Sequence, residues 1–437
     1  LVGSEMCIRD SRLRGIGAVM AAASRQGSNA MQIRHYNERV VLEAIRRLGQ
    51  ASKAEIARGA NLTPQAVAGI VDALHKAGYL VQAGKRTGQI GQPSVLYEAN
   101  PERAFSIGLH VGRRAIQAVL VDLSGKVLRQ VEHEYPYPTP ETVSALALDA
   151  IATLEASLAS RQRARLLGVG VTMPYFLDNW QEELGFPAAL AQGWRDFNFP
   201  RFLMAQTRRE VFFENDASAA ATAQLVRGQG MAERNFIYLY LGTIIGGGLV
   251  LGGNLETGPN GNAAAFNTFP VSASTLPGAA LPAGPFELLQ HRASIYVLLR
   301  HLRANQVAID RIGDLAGLGE AAQPWLGQWE ADCAAALAQA IIGALSVVDV
   351  EAIVIDGILP PAPLARIVAL VGEALARLVP SGLMMPVLRQ GGLGPDGPAI
   401  GAALLPFYAH FAPNNEVLAR KFSAEAKPLL GVGPAAG

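Results

Sequence analysis

Within the first hundred residues, polar and cationic side chains gather around one short stretch: Lys53, Arg58, Thr63, Gln65, His75, Lys85 and Arg86. A glutamine can pair both amide atoms with an adenine edge, while lysine, arginine and hydroxyl groups hold phosphate oxygens, so the set suits a nucleic-acid surface. Farther on, Arg113 and Arg114 follow a glycine turn at Gly112, two adjacent cations that could attract an anion. Asn215 and Asp216 stand where a strand (211–213) gives way to a helix (217–226). For Asp216, accepting a ligand hydrogen bond and capping that helix are equally open uses of the same oxygens.

The elements that would position the first group are legible from local signals. Asn37 can cap a helix with an apolar stripe of Val40, Val41, Ala44, Ile45 and Leu48, closed by Gly49. Ser52 and Glu55 form a capping-box pair that opens a second helix, and Asn61-Leu62 makes a turn. Thr63 caps a third helix with Pro64 at its first position, and Val67, Ile70, Val71 and Leu74 face inward until Gly78. Two strand-like pieces follow, 79–83 and 94–98, joined by a glycine-rich basic loop over 84–93. Three short helices and a hairpin predict a winged helix-turn-helix, its third helix entering the major groove. A small helical interaction module without DNA is the alternative. Charge favours DNA: residues 1–103 carry 14 Lys and Arg against 8 Asp and Glu, the remainder 23 against 28. A basic head on an acidic body suits a polyanionic partner.

Composition narrows the class further. The 437 residues are 50% hydrophobic and only 17% charged, with 46 glycines punctuating apolar runs, a folded α/β composition rather than a disordered one. Cys7 and Cys333 are the only cysteines, which excludes a disulfide framework or a cysteine-rich zinc site and fits a cytoplasmic location. The most apolar stretch, 334–355, contains Gln339, Asp349 and Glu351, which argues against a membrane partner. Residues 16–23 faintly imitate a signal peptide but are interrupted by glycine. Residues 1–11 lack an initiating Met and read as adapter sequence, with Met20 or Met31 the expected start. Trp325 and Trp329, four apart, read as one packed helix face.

Past residue 104 an alternating strand, Phe105 to Val111, runs into Gly112, followed by a strand over 115–122 and a turn at Gly125. The pattern recurs at 236–242, ahead of Gly246-Gly247-Gly248. From Asn37 to about Pro406 this order of motifs resembles the ROK family, sugar kinases and transcriptional repressors built on one fold. The run Gly394-Pro395-Asp396-Gly397-Pro398 is similar to the start of that family's closing helix. The resemblance implies an α/β chain: an N-terminal winged helix-turn-helix, then a two-lobed actin-like (RNase-H-like) ATPase fold. The expected divisions are an extension over 1–30, the DNA-binding domain over 31–100, the ROK domain over 104–410 and a tail over 411–437.

The resemblance also implies site residues, and the chain departs from several. The kinase branch reads Asp-x-Gly-Gly-Thr at the first turn, serving metal and phosphates; here it is His110-Val111-Gly112-Arg113-Arg114. Without the carboxylate, a magnesium-bound nucleotide loses its oxygen ligand, so no metal, no cofactor and no enzyme activity are expected. Ile244 and Ile245 stand in the second loop, where kinases usually keep glycine. The wing holds Gly91-Gln92-Pro93 in place of Gly-Arg-Pro. On the sugar side, Asn215, Asp216 and Glu287 match hydroxyl-binding residues, and Met173-Pro174 matches the pocket wall, with Tyr175 in place of glycine. Ala265 and Thr268 replace a sugar-binding Glu and a His that also serves zinc, and 275–285 holds no cysteine, so structural zinc is not expected. Gly193-Trp194 falls in a cleft-edge loop, where packing and ligand contact are equally open. The expectation is a homodimeric or higher-order repressor of carbohydrate genes, with operator DNA and a sugar or sugar phosphate as partners. The alternatives are an ATP-dependent sugar kinase and a DNA-binding dimer that senses no ligand.

Overall fold

The computed structural model describes residues 30–86, 94–174, 193–195, 197–228, 233–279, 282 and 284–413. They fall into two compact units, one built on residues up to 103 with 257–263 and 408 onward, the other on 104–256 and 264–407.

In the first unit, α1 (Ala30–Leu48) starts well before Asn37, which therefore lies inside the helix instead of capping it. Its buried stripe is Val41, Leu42, Ala44 and Ile45, while Leu48 is exposed, and Gly49 ends it with φ of 72°. After β1 (Ala51–Ser52), the Ser52 side chain accepts from Glu55 N at 3.3 Å and the Glu55 carboxylate accepts from Ser52 N at 2.8 Å, closing the box that opens α2 (Lys53–Ala60). Donation to the Glu55 carboxylate from Ser52 N and from Ser52 Oγ, each at 2.8 Å, joined by Arg86, draws the carboxyl down to about 2. Asn61 turns left-handed at φ 53°, and Thr63 caps α3 (Pro64–Lys76), which buries Val67, Ile70, Val71 and Leu74. The hairpin β2 (Leu80–Arg86) and β3 (Ser94–Ala99) joins β1 in a sheet of order β1-β3-β2. This is a winged helix. Strand β2 runs through Lys85 and Arg86, which the sequence assigns to the loop; Gly91-Gln92-Pro93 lies outside the described residues. Residues 408–413 belong to the same unit, with the Phe411 ring edge-on to Tyr79 at 5.9 Å and Arg39 Nη1 donating to Ala412 O at 3.3 Å.

The second unit repeats one design. Strands β4 (Phe105–Val111), β5 (Ala115–Asp122) and β6 (Val127–Glu134) form an antiparallel meander, and β7 (Leu166–Thr172) and β8 (Val211–Glu214) extend it in parallel, giving the order β6-β5-β4-β7-β8. Helix α4 (Pro140–Ala156) supplies Val143, Ala147, Ile151 and Leu154 to the core beneath β4, and α5 (Phe199–Thr207) supplies Phe199 and Leu203. After α6 (Asp216–Arg227) the plan recurs with β9 (Phe236–Leu241), β10 (Gly246–Leu251) and β11 (Asn254–Glu256). The short ladder β12 (Pro270–Val271) and β13 (Glu287–Leu288) leads to α7 (Gln290–Ala293), α8 (Ile295–Ala304) and α9 (Gln323–Leu345). Then β14 (Ala352–Gly357), α10 (Pro361–Leu378) and β15 (Val387–Gln390) complete the order β11-β10-β9-β14-β15 with the same pattern of directions. The weak repeat in the sequence is thus two lobes of one topology. On α9, Trp329 is fully buried and Trp325 packs beside it, as their spacing predicts.

Helix α11 (Gly397–Phe411) packs, through its residues up to 407, against glycines of the second unit. A Cβ at Gly108 would fall 2.2 Å from Ala399 O, at Gly170 1.7 Å from Ala402 O, and at Gly401 2.0 Å from Ala219 O. Backbones meet there with no room for a methyl group. Gly108→Ala is therefore expected to destabilise by about 3 kcal/mol or more. Gly69→Ala, in the exposed interior of α3 with nothing within 4 Å, is expected to stabilise by roughly 0.5–1 kcal/mol. Denaturant unfolding of both variants checks the contrast.

Candidate functional site

On the winged helix, Arg58 and Gln65 are exposed on α2 and α3, and Lys85 is exposed on β2, none with a hydrogen-bond partner for its side chain among the described residues. Thr63 is exposed, but its Oγ1 accepts from Ala66 N at 3.3 Å as the cap. The other three have internal partners that the sequence did not disclose. Lys53 Nζ lies 2.6 Å from Asp72 Oδ1, and Arg86 Nη1 lies 2.5 Å from Glu55 Oε1. His75 Nδ1 is 2.9 Å from Leu80 O, its ring edge-on to Tyr97. Exposed ion pairs of this kind are weak, so a phosphate can displace them.

In the second unit the first turn is unlike a metal site. His110 sits at the end of β4 with Nδ1 3.4 Å from Thr172 Oγ1, and burial lowers its imidazole to about 4, leaving it neutral. Arg113 Nη1 donates to Pro136 O at 3.0 Å and its guanidinium lies 5.0 Å over the Tyr137 ring, while Arg114 is exposed. Among the described residues no group of three His, Cys, Asp or Glu could hold a metal ion.

One residue absent from the expected set dominates the second lobe. Asp356, at the carboxyl end of β14, is fully buried and accepts from Gly357 N at 2.8 Å, Leu393 N at 3.1 Å, Gly394 N at 3.1 Å and Tyr238 OH at 3.0 Å. The carboxyl ends of such strands are where open α/β sheets usually receive ligands. Here a side chain of the protein takes those amides. No motif marks it, because its partners lie 37 residues onward and on another strand.

Asn215 caps α6, accepting from Ala217 N at 3.1 Å, so the cap falls to Asn215 and Asp216 is the first helical residue. Asp216 Oδ1 accepts from Ala217 N at 2.8 Å, and burial pushes its carboxyl up to about 6. Asp216, Asp356 and Asp396 lie close enough to Tyr240 that, with burial, they drive its phenol well above the ordinary value. Asp396 in turn accepts from Gln117 Nε2 at 2.7 Å and Gln130 Nε2 at 3.2 Å. Glu287 is buried on β13, with His291 Nδ1 2.5 Å from Oε1. Pro174 is half-buried just past β7, and Tyr175 lies outside the described residues. Trp194 packs edge-on against Phe197 and Phe199 and donates Nε1–H to Pro138 O at 2.5 Å.

Residues 272–275, at the start of the stretch without cysteines, are held by a buried ion pair. Arg292 and Asp332, each about 1% exposed, meet at 2.8 Å; Asp332 also accepts from Thr275 N at 2.8 Å and Ser274 Oγ at 3.0 Å, and Arg292 Nη1 donates to Ser272 O at 3.0 Å.

The chain matches the ROK family over residues 106–407, and it belongs to that family. It is 26% identical over 229 residues to a xylose repressor of Bacillus spizizenii, 52% of this chain and 59% of that one. It is 32% identical over 162 residues to a glucokinase of Streptomyces coelicolor, 37% of this chain and 48% of that one. The chain thus spans about three fifths and about half of those relatives. Among solved structures it is similar to a ROK hexokinase from Thermus thermophilus (26% identity, TM-score 0.50, 69% of this chain and 97% of that one). A ROK transcriptional regulator homologous to the Escherichia coli MLC protein shares the fold at 20% identity (TM-score 0.59, 86% and 96%). ROK relatives are therefore both sugar kinases and transcriptional regulators. No helix among the described residues is long and apolar enough to cross a membrane.

Arg292→Met should cost about 3–5 kcal/mol by leaving Asp332 buried and unpaired. Burial alone would raise Asp332, but bonds from Arg292, Thr275 and Ser274 outweigh it and hold its carboxyl below the ordinary 3.8. Its contribution is present above that value and lost as pH falls through the lowered one. Acid unfolding monitored by circular dichroism should show a transition near or below pH 3.8 that Arg292→Met moves upward.

Proposed function

We propose that this chain is a DNA-binding transcriptional regulator, a cytoplasmic homodimeric repressor of carbohydrate uptake or catabolism genes. Its ROK domain (104–410) senses a sugar-like effector without transferring phosphate, and its winged helix (31–100) binds operator DNA. The observation that carries this reading is the pairing of an exposed reading helix bearing Gln65, flanked by Arg58 and Lys85, with a first turn whose metal-binding carboxylate is the neutral His110. Phosphoryl transfer depends on positioning and charge neutralisation. A neutral imidazole at the first turn and an internal carboxylate on the second lobe's amides do not fit a metal-bound nucleotide. Ligand binding that closes the lobes would change the separation of two heads in a dimer, to which half-site recognition is sensitive.

Sugar phosphorylation is favoured by one observation, the Asp216 carboxyl raised to about 6, close to what a general base needs. A coupled ADP-release assay across common hexoses separates the readings: Asp216-dependent turnover supports a kinase, its absence a sensor.

Gel-shift titration against the upstream region of its own gene should give a retained band that a sugar releases. No shift of any genomic fragment at low salt contradicts the regulator reading. Arg58→Ala should weaken binding on all sequences alike and reduce the salt dependence by about one ion. Gln65→Ala should relax preference at one base pair. Effector affinity should rise as pH rises through about 6, where Asp216 gains its charge as hydroxyl acceptor, and Asp216→Asn should flatten that profile in calorimetry.

A further inference from the structure

The first lobe carries a group of arginines apart from the candidate ligand residues. Strands β4, β7 and β8 run parallel, so their amino ends share one rim of the sheet. Arg161, Arg163 and Arg165 precede β7, and Arg208 and Arg209 precede β8. Hydrogen bonds draw the two sets together at the end of α4. Arg163 Nε donates to Glu155 O at 3.0 Å, Arg209 Nε to Glu155 Oε1 at 3.1 Å, and Arg209 Nη1 to Leu166 O at 3.4 Å. Phe105 N donates to Arg165 O at 3.1 Å, which places the start of β4 at the same rim.

Most of this charge is turned outward. Arg161, Arg163 and Arg208 are exposed, and Arg161 and Arg208 have no hydrogen-bond or ion-pair partner for their side chains among the described residues. Arg163 keeps its full charge, because its partners Glu155 O and Leu158 O are carbonyls. Residues 155–165 and 208–210 hold five arginines against two carboxylates, Glu155 and Glu210, in a body where acidic residues predominate. Arg208 also sits against backbone preference. It ends α5 in the left-handed region at φ 55°, where glycine sits freely and a side chain is strained. An arginine at a position that suits glycine points to a use for its guanidinium.

We propose that this rim is a second DNA contact, carried by the ROK domain, which takes backbone phosphates flanking the sequence that the winged helix reads. The inference rests on the regulator reading above and extends its interface. Guanidinium groups fork onto phosphate oxygens, and duplex DNA presents one charge about every 1.7 Å, so cations on two segments can be met together. Connectivity favours this partner: only residues 100–104 join the last strand of the winged helix to β4, a length that spans less than about 20 Å even when extended. Such contacts read no base. They add affinity and salt dependence on any sequence.

The test is a salt titration of the full chain on a duplex of roughly 40 base pairs from the upstream region of its own gene, followed by fluorescence anisotropy. Arg161→Ala and Arg208→Gly should each lower the slope of log affinity against log salt by about one, and the two together by about two. Because glycine relieves the left-handed backbone, Arg208→Gly should raise the thermal midpoint while flattening the slope, a combination that a folding defect does not produce. Arg377→Ala removes an exposed charge at the end of α10, in the other lobe, and should leave the slope unchanged. Unchanged slopes for both rim variants, or an equal fall with Arg377→Ala, overturns the proposal. Arg58→Ala is measured alongside: if it lowers the slope while the rim variants do not, this inference fails and the regulator reading stands, whereas no binding of any duplex removes both. Binding to phosphatidylglycerol vesicles that the double variant abolishes, with an unchanged DNA slope, overturns the proposal in favour of a lipid surface.

Discussion

The buried carboxylate of Asp356 connects the middle of the second lobe to the helix that ends it. Four donors from three separate segments converge on it, and a buried acceptor left without them would cost on the order of 1–3 kcal/mol per lost partner. By fixing Leu393 and Gly394, it sets where α11 begins. That helix then runs over Gly108 and Gly170 of the first sheet, while Gly401 meets Ala219 of α6. Tight backbone packing transmits displacement instead of absorbing it. The helix carrying Asp216 is packed against α11 at Gly401 and directly against β10 at Gly246 and Gly248.

The same residue bears on chemistry. Backbone amides at a strand's carboxyl end are a natural seat for an anion, and here the Asp356 side chain accepts from those of Gly357, Leu393 and Gly394. The imidazole of His110 is neutral, the guanidinium of Arg113 is occupied, and Asp216 is close to half-protonated at mildly acid pH. The exposed Arg114 remains a cation there, but no carboxylate at the first turn is placed to hold a polyphosphate's metal. It retains amide, hydroxyl and carboxyl groups that match hydroxyls. ROK relatives include both sugar kinases and transcriptional regulators, and on the function proposed above these residues favour binding over transfer.

What the sequence disclosed follows the range of the interactions involved. The capping box at Ser52 and Glu55, the Thr63-Pro64 start of α3 and the glycine turns are local, and each is found where residue order predicts. Asn37 misleads for the same reason: a good cap residue sits inside a helix because its neighbours upstream also suit helix. Long-range facts were not legible. Nothing in spacing pairs Lys53 with Asp72 or Arg86 with Glu55, and nothing ties Asp356 to residues 393 and 394. Glu287 matches a motif by type, yet its carboxylate is engaged by His291, one helical turn on. The repeated strand-and-glycine pattern was faint as sequence because only topology, not side-chain identity, is shared between the lobes.

The most direct measurement is a calorimetric titration of the unmodified protein with a magnesium-bound, non-hydrolysable ATP analogue, in the presence of a saturating neutral sugar. With Asp356 on the second lobe's amides and His110 at the first turn, no heat of binding is expected at millimolar nucleotide. Saturable, stoichiometric binding in the micromolar range would contradict the account.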